Sequence, residues 1–497
     1  MTAAAPGGTA EPTSADVVVV GAGVAGLVVA HDVARAGLSV ALLEAGERVG
    51  GMLRRADLGG VAVDVGAESF ATRTSGVADL IADAGLPLRT VAPERGGAHL
   101  AAVGDDGILH APLPRRTVLG IPADPLAEDV LRILGGAAAR RVAAEPSLDR
   151  DASAAAPEPS LADLVAERCG PELVRRLVDP LCRSVYSVAA SDARLSRLHP
   201  ALWREYVARG SLIEAAAVVA APERAGSAVA GIDGGMWRLA EELDRAARAA
   251  GVRVRTGVRV DGLTAAGRAV DVAAGSEVLR ARRVVVATGA IAARALLAPP
   301  ASAGSATPPA SAGGAPPVRV VAALVAAPEL DIRPVGSGVI VAADVDAQAK
   351  ALTHVTAKWG WAAAAAPAGH HIVRLSARAA TSRLDTPEDL AREITLLTGV
   401  AVAPSAIVAR AEAVWTDAVA AAPVDPARRA ALAADGIHLA GAPVAGTGLA
   451  SVVPHARELA RDLVRELTDA GSDASDSSTP VAAARTAAAD TETRRTA

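Results

Sequence analysis

Three glycines at Gly21, Gly23 and Gly26, a carboxylate at Glu44 and the pair Gly50 and Gly51 are the residues whose types and spacing could do chemistry. Together they describe a dinucleotide site. Gly21 permits a sharp turn, Gly23 lets the backbone approach a pyrophosphate, and Gly26 allows helix to pack on strand. With Ala22, Val24 and Ala25 between them, the amides and positive dipole of a helix N-terminus face the phosphates. Glu44, followed by Ala45, stands 18 residues after Gly26, where a carboxylate can accept both ribose hydroxyls. Gly50 and Gly51, then Met52, Leu53 and Arg54, and the alternating stretch from Val61 to Gly66 separate FAD proteins of the glutathione-reductase type from NAD dehydrogenases. The expected cofactor is FAD.

Around these groups the positioning elements are legible. Residues 17–20 read as a buried parallel strand, 27–36 as the crossover helix closed by Gly37, and 38–43 as the second strand. Further strands are expected at 252–255, 258–260 and 284–286, the last ending at Ala287, Thr288 and Gly289. Gly231 to Leu239 is a glycine-rich turn opening a helix to Ala250. Near the end, a buried strand from Ile437 leads to Gly441, and Gly446, Thr447, Gly448 and Leu449 precede a helix over about 451–467. Its N-terminus suits the electron-rich edge of a reduced flavin.

The intervening chain divides in two. Ser75 caps a helix over 76–84 ended by Gly85, residues 86–123 are irregular or short strands, and Asp124 with Pro125 opens a helix to Leu134. Residues 143–159 read as a surface loop, Ser160 caps 161–168, and Pro171 starts a helix toward Val178. A helical insert over 76–230 follows from this. A sheet domain is expected over 318–428, with strands at 318–325, 338–342, 353–358 and 371–376 and a helix over 387–398, capped by Thr386 and ended by Gly399. The fold class is α/β, in the α+β multi-domain sense. A discontinuous Rossmann-like FAD-binding domain takes 15–75, 231–295 and 430–468, leaving 1–14, 296–317 and 469–497 as flexible segments.

A chain of 497 residues has room for two or three domains. The net charge is -5 and no basic run exceeds a pair, so nucleic acid is not an expected partner. Lys350 and Lys358 are the only lysines, and Phe70 is the only phenylalanine, so the core must be built from Ala, Val and Leu. Cys169 and Cys182 form neither a disulfide framework nor a metal or redox motif, which fits a cytoplasmic protein; the nine histidines suggest no metal site. The apolar run 17–30 is broken by three glycines, unlike a signal or membrane helix.

Over nearly all of residues 16–468 the sequence resembles the FAD-dependent protoporphyrinogen and coproporphyrinogen oxidases of haem biosynthesis. The resemblance rests on the Val65 to Arg73 turn and on Asp179 to Leu181, Leu195, Ser196, His199, Pro200, Glu205 and Gly210 to Ile213. Gly234 to Met236 with Leu239, Lys358 with Trp359, and the Gly441 to Leu449 segment complete it. It implies oxidation of a porphyrinogen, with coproporphyrinogen III preferred, by successive two-electron steps to FAD with dioxygen as acceptor and hydrogen peroxide as by-product. The flavin performs that chemistry, so no catalytic side chain is expected.

Carried over residue by residue, the family's FAD contacts fall on Gly21 to Gly26, Glu44, Ala45, Gly50, Gly51 and Met52, and on Gly66, Ala67, Glu68, Ser69 and Phe70. They continue at Val260 on the adenine side, Trp415, Gly441, Thr447, Gly448 and Leu449. Arg73 is the expected propionate ligand and Phe70 is expected to line the cleft, whereas Lys358 reads as a strand lysine facing solvent. Two features depart from the family: Ala420 to Val424 replaces a Pro-x-Tyr element, and the closing segment lacks an Asp-Cys pair. Protoporphyrinogen IX oxidase, amine oxidase, carotenoid-type desaturase and a flavin-binding relative without turnover stay open as alternatives. Peripheral membrane contact, a ferrochelatase partner and the oligomeric state are left open as well.

Overall fold

In the computed structural model, residues 14–104, 107–148, 157–186, 188–220, 229–298, 317–416 and 424–475 are described. The strand Ser14–Val20 lies at the centre of a seven-stranded sheet, between Val40–Leu43 and Glu277–Val286, with Arg253–Arg255 beyond Val40–Leu43. All four are parallel. Val17 and Val19 pack under helices Val24–Arg35, Trp237–Ala249 and Leu449–Ser475, while Val18 and Val20 pack into the apolar cluster on the other face. Burial on both faces explains an unbroken valine run where a one-faced strand would alternate. The carboxyl half of Glu277–Val286 pairs parallel with Ile437–Leu439, and its amino half pairs antiparallel with Ala269–Ala274.

Several element boundaries differ from the sequence expectation. The crossover helix starts at Val24, three residues early, because Gly23 already takes the extended N-cap geometry. The 258–260 stretch is not a strand; the Gly257 and Val258 amides instead donate to the carbonyls of Gly46 and Glu44, at 2.8 and 2.9 Å. The strand lies later, at Gly262–Ala266, in a hairpin with Ala269–Ala274. The terminal helix passes residue 468 and runs to Ser475, since each added residue gains a helical bond once the helix is nucleated. Residues 1–13, 299–316 and 476–497, which hold most of the expected flexible segments, lie outside the described residues, as do residues 420–423 of the departed family element.

The second seven-stranded sheet runs Ile407–Trp415, Val318–Ala326, His370–Arg378, Ala349–His354, Gly338–Val341, His99–Gly104, Gly107–Pro112. Its last two strands come from the stretch assigned to the helical insert, so 76–230 is not one helical unit. His99–Gly104 pairs parallel with Gly338–Val341, and Leu100, Ala101 and Ala102 are almost fully buried there. The expected strand over 353–358 ends at His354, and Val355–Lys358 is one helical turn that carries the buried Trp359 inward.

In the helical part, Asp124 and Pro125 form a turn, and the helix starts at Glu128. The expected surface loop holds Glu145, which is fully buried in a short 3-10 turn. Its carboxylate accepts from Arg168 Nε at 2.6 Å, from Ser211 Oγ at 2.5 Å and from the Leu212 amide at 3.0 Å. It therefore sits at the N-terminus of helix Leu212–Val219, where the dipole favours negative charge. Among the described residues no helix is long and apolar enough to cross a membrane.

Candidate functional site

The glycine loop stands at the carboxyl end of Ser14–Val20, where open parallel sheets bind ligands. A Cβ at Gly26 would lie 1.9 Å from the Gly21 carbonyl oxygen, so only glycine lets the helix approach the turn this closely. A Cβ at Gly23, by contrast, would meet no atom within 4 Å. That opening at a helix N-terminus is what a pyrophosphate requires. The Glu44 carboxylate reaches the loop from the end of the second strand, accepting from the Ala22 amide through Oε2 and from the Gly46 amide through Oε1, both at 2.8 Å.

Other segments close on this loop. The Gly50 amide donates to the Ala22 carbonyl at 2.8 Å, and a Cβ at Gly51 would stand 3.2 Å from Gly23 Cα. Gly441 abuts the helix start, its position for a Cβ lying 3.4 Å from Ala25 Cβ. Met52 is exposed, and its carbonyl accepts from the Ala67 amide at 2.9 Å, which joins the Gly-Gly loop to the 66–69 turn. Trp415 Nε1 donates to the Val65 carbonyl at 2.9 Å, so the indole packs over Gly66. Thr447 and Gly448 are exposed just before Leu449–Ser475. Val260 is half-buried, close behind the 257–258 amides that bond Gly46 and Glu44. Several of the expected flavin residues, far apart in sequence, thus lie close to the glycine loop, and the open loop with its acid fits FAD.

Two expected roles change. Phe70 is 6% exposed; its strand pairs with Val229–Ile232 and turns the ring into the main core, so it does not line the cleft. Lys358 does not face solvent from a strand: it is on the helical turn, largely buried, and ion-paired with Glu68. Glu68 also faces Arg374 at 3.1 Å. Burial alone would raise the Glu68 carboxyl, but the two cations hold it below the usual range. Arg73 is exposed beside the closing helix, where Nη2 donates to Ser451 Oγ at 2.8 Å. Its charge also acts on Tyr186 and His199 of the helical part, the former raised and the latter lowered chiefly by burial. Arg73 therefore stands between the 66–69 turn and the helical segment.

Sequence reasoning missed Asp64 and Arg374. Asp64 is 4% exposed and accepts from the Met236 and Trp237 amides at 2.8 and 2.9 Å, which anchors the start of helix Trp237–Ala249 to the strand entering the turn. The signal was an acid inside the valine alternation, on the face opposite to Val61, Val63 and Val65. Burial pushes its carboxyl up to about 7. An acid raised on folding contributes stability that is complete below its unfolded value of 3.8 and is lost as pH rises through about 7. Asp64→Asn should therefore flatten the fall in thermal stability across that window; melting curves with the wild-type slope would contradict this.

A glycine-turn nucleotide site with an acid on the second strand, closed by a late helix N-terminus, defines a flavin-binding oxidoreductase. The chain belongs to the family described as flavin containing amine oxidoreductase, whose pattern matches residues 24–464. Among curated proteins it is similar to the coproporphyrinogen III oxidase of Mycobacterium tuberculosis, 30% identical over 379 residues, covering 69% of this chain and 73% of that one. The fold is similar to a protein of Exiguobacterium sp. 255-15 described as a candidate protoporphyrinogen oxidase, with a TM-score of 0.72 and 22% identity, covering 91% of this chain and 99% of that one. Cyclohexylamine oxidase from Brevibacterium oxydans shares the fold at a TM-score of 0.59 and 19% identity, with coverage of 91% and 99%.

Proposed function

We propose that this flavoenzyme oxidises coproporphyrinogen III to coproporphyrin III, with dioxygen as acceptor and hydrogen peroxide as by-product. The observation that carries the reading is the exposed Arg73 guanidinium, poised between the 66–69 turn and the helical segment in a chain similar to a coproporphyrinogen III oxidase. Bound FAD supplies the two-electron acceptor. The chain's own task is binding and orientation. The Gly21 to Gly26 loop would receive the pyrophosphate and Glu44 the ribose, with Ala45, Gly50, Gly51 and Met52 nearby and Val260 toward the adenine. Gly66 to Ser69, Trp415, Gly441 and Thr447 to Leu449 would border the redox-active ring, where the N-terminus of Leu449–Ser475 would favour negative charge. Residues 15–75, 231–295 and 430–468 form this cofactor module, and the sheet of 318–428, extended by the 99–112 hairpin, supports the substrate.

Coproporphyrinogen carries four propionates and protoporphyrinogen two, so a cationic side chain at the mouth favours the more acidic substrate. Arg73→Ala should raise the KM for coproporphyrinogen about three- to fivefold, the scale of an exposed ion pair, and leave flavin content unchanged. Porphyrin fluorescence measured in parallel with both substrates provides the check. A wild-type preference for protoporphyrinogen would overturn the substrate, and an unaltered KM would overturn the role of Arg73.

A further inference from the structure

The second sheet sends two cations into the 66–68 turn, Arg374 from one of its strands and Lys358 from the helical turn that follows another. Arg374, 9% exposed on strand His370–Arg378, donates through Nη2 to the Gly66 carbonyl at 2.6 Å, and its Nη1 lies 3.1 Å from Glu68 Oε2. Lys358 pairs with the other oxygen of the same carboxylate. Two largely buried cations thus pair with one carboxylate, while the nearby Asp64, which accepts from the Met236 and Trp237 amides, is pushed up to about 7 by burial and is largely uncharged below that pH. The Arg374 Nε is buried without a hydrogen-bond partner among the described residues, and below that pH the two cations outnumber the ionised carboxylates of the group. A charge this far from water is screened less than one at the surface.

We propose that Arg374 is a positioning residue for the flavin. It fixes the 66–68 turn through the Gly66 carbonyl and the Glu68 carboxylate and, with Lys358, leaves an excess of positive charge that favours the reduced flavin. The inference rests on the flavin site described above. Transfer of a hydride, two electrons with one proton, adds one negative charge to the acceptor, and a net positive group beside it would stabilise that product over the oxidised form.

The test is the midpoint potential of FAD-loaded protein, reduced stepwise by dithionite against a reference dye, together with FAD affinity from fluorescence titration of apoprotein. Arg374→Gln should shift the reduced-to-oxidised preference about tenfold toward oxidised flavin, a fall of about 30 mV for a two-electron couple. Glu68→Gln should move the potential the opposite way, because it removes the carboxylate that pairs with both cations. Arg374→Lys, which keeps the charge but loses the fork, should hold the potential near the wild-type value while weakening FAD binding. This set separates a charge effect from a structural tie, which would shift both glutamine variants in the same direction or neither. Equal potentials in all variants, or shifts of one sign, would overturn the inference while leaving the flavin site intact. Wild-type protein that binds no FAD would overturn both.

Discussion

Glu44→Ala is expected to weaken FAD binding about ten- to a hundredfold, from the loss of charge-assisted bonds worth about 1.5 to 3 kcal/mol. The carboxylate has two jobs. Its lone pairs hold the Ala22 and Gly46 amides at 2.8 Å in the protein itself, so the loop is shaped before any ribose arrives. Removing it costs both the ribose contact and this preorganisation. Glu44→Gln should retain part of the affinity, because an amide oxygen can still accept one of these bonds. Fluorescence titration of apoprotein with FAD gives the number, and an unchanged dissociation constant for the alanine variant would remove Glu44 from the site.

Gly66→Ala should act on the fold itself. A Cβ there would lie 1.7 Å from the Met52 carbonyl oxygen and 2.8 Å from its carbon, with the Trp415 ring at 3.2 Å on another side. The obstruction is backbone, so no rotamer relieves it. The Ala67 amide bond to Met52 at 2.9 Å would break, separating the turn from the Gly-Gly loop. Overpacking of this kind costs about 1 to 3 kcal/mol or more. The variant should lose both thermal stability and flavin. Gly23→Ala is the informative contrast, since its methyl meets nothing within 4 Å in the protein. It should melt like the wild type as apoprotein and still bind FAD poorly. A Gly66→Ala protein with wild-type melting and full yellow colour would contradict the packing described here.

The nucleotide loop was readable because its physics is local. Strand, glycines, helix and acid occupy residues 14–44 and require no knowledge of distant chain. The capped helix Pro387–Thr398 was readable for the same reason: Thr386 and Asp389 form a capping box, and Gly399 takes the left-handed conformation after it. Pairing across long separations was not. The hairpin His99–Gly104 and Gly107–Pro112 has the look of short strands, but nothing in its sequence says that its partner is Gly338–Val341. Phe70 was misplaced because periodicity reports alternation without saying which face is the cleft, and only its pairing with Ala230 turns it inward. Lys358 and Glu145 failed in the same direction. A lone charge in a polar stretch reads as solvated until a partner from elsewhere in the fold, Glu68 or Arg168, buries it. The charged group at the turn therefore emerged only from the structure.

The central claim is that the reducing equivalents taken up by the flavin come from a porphyrinogen. Oxidised, FAD-loaded protein mixed with coproporphyrinogen III in the absence of oxygen should lose its yellow absorbance, and admission of air should restore the colour as porphyrin fluorescence and hydrogen peroxide accumulate. Coproporphyrinogen should bleach the flavin faster than protoporphyrinogen IX. Protein that stays yellow with both porphyrinogens, yet is bleached by a primary or secondary amine, would contradict the account.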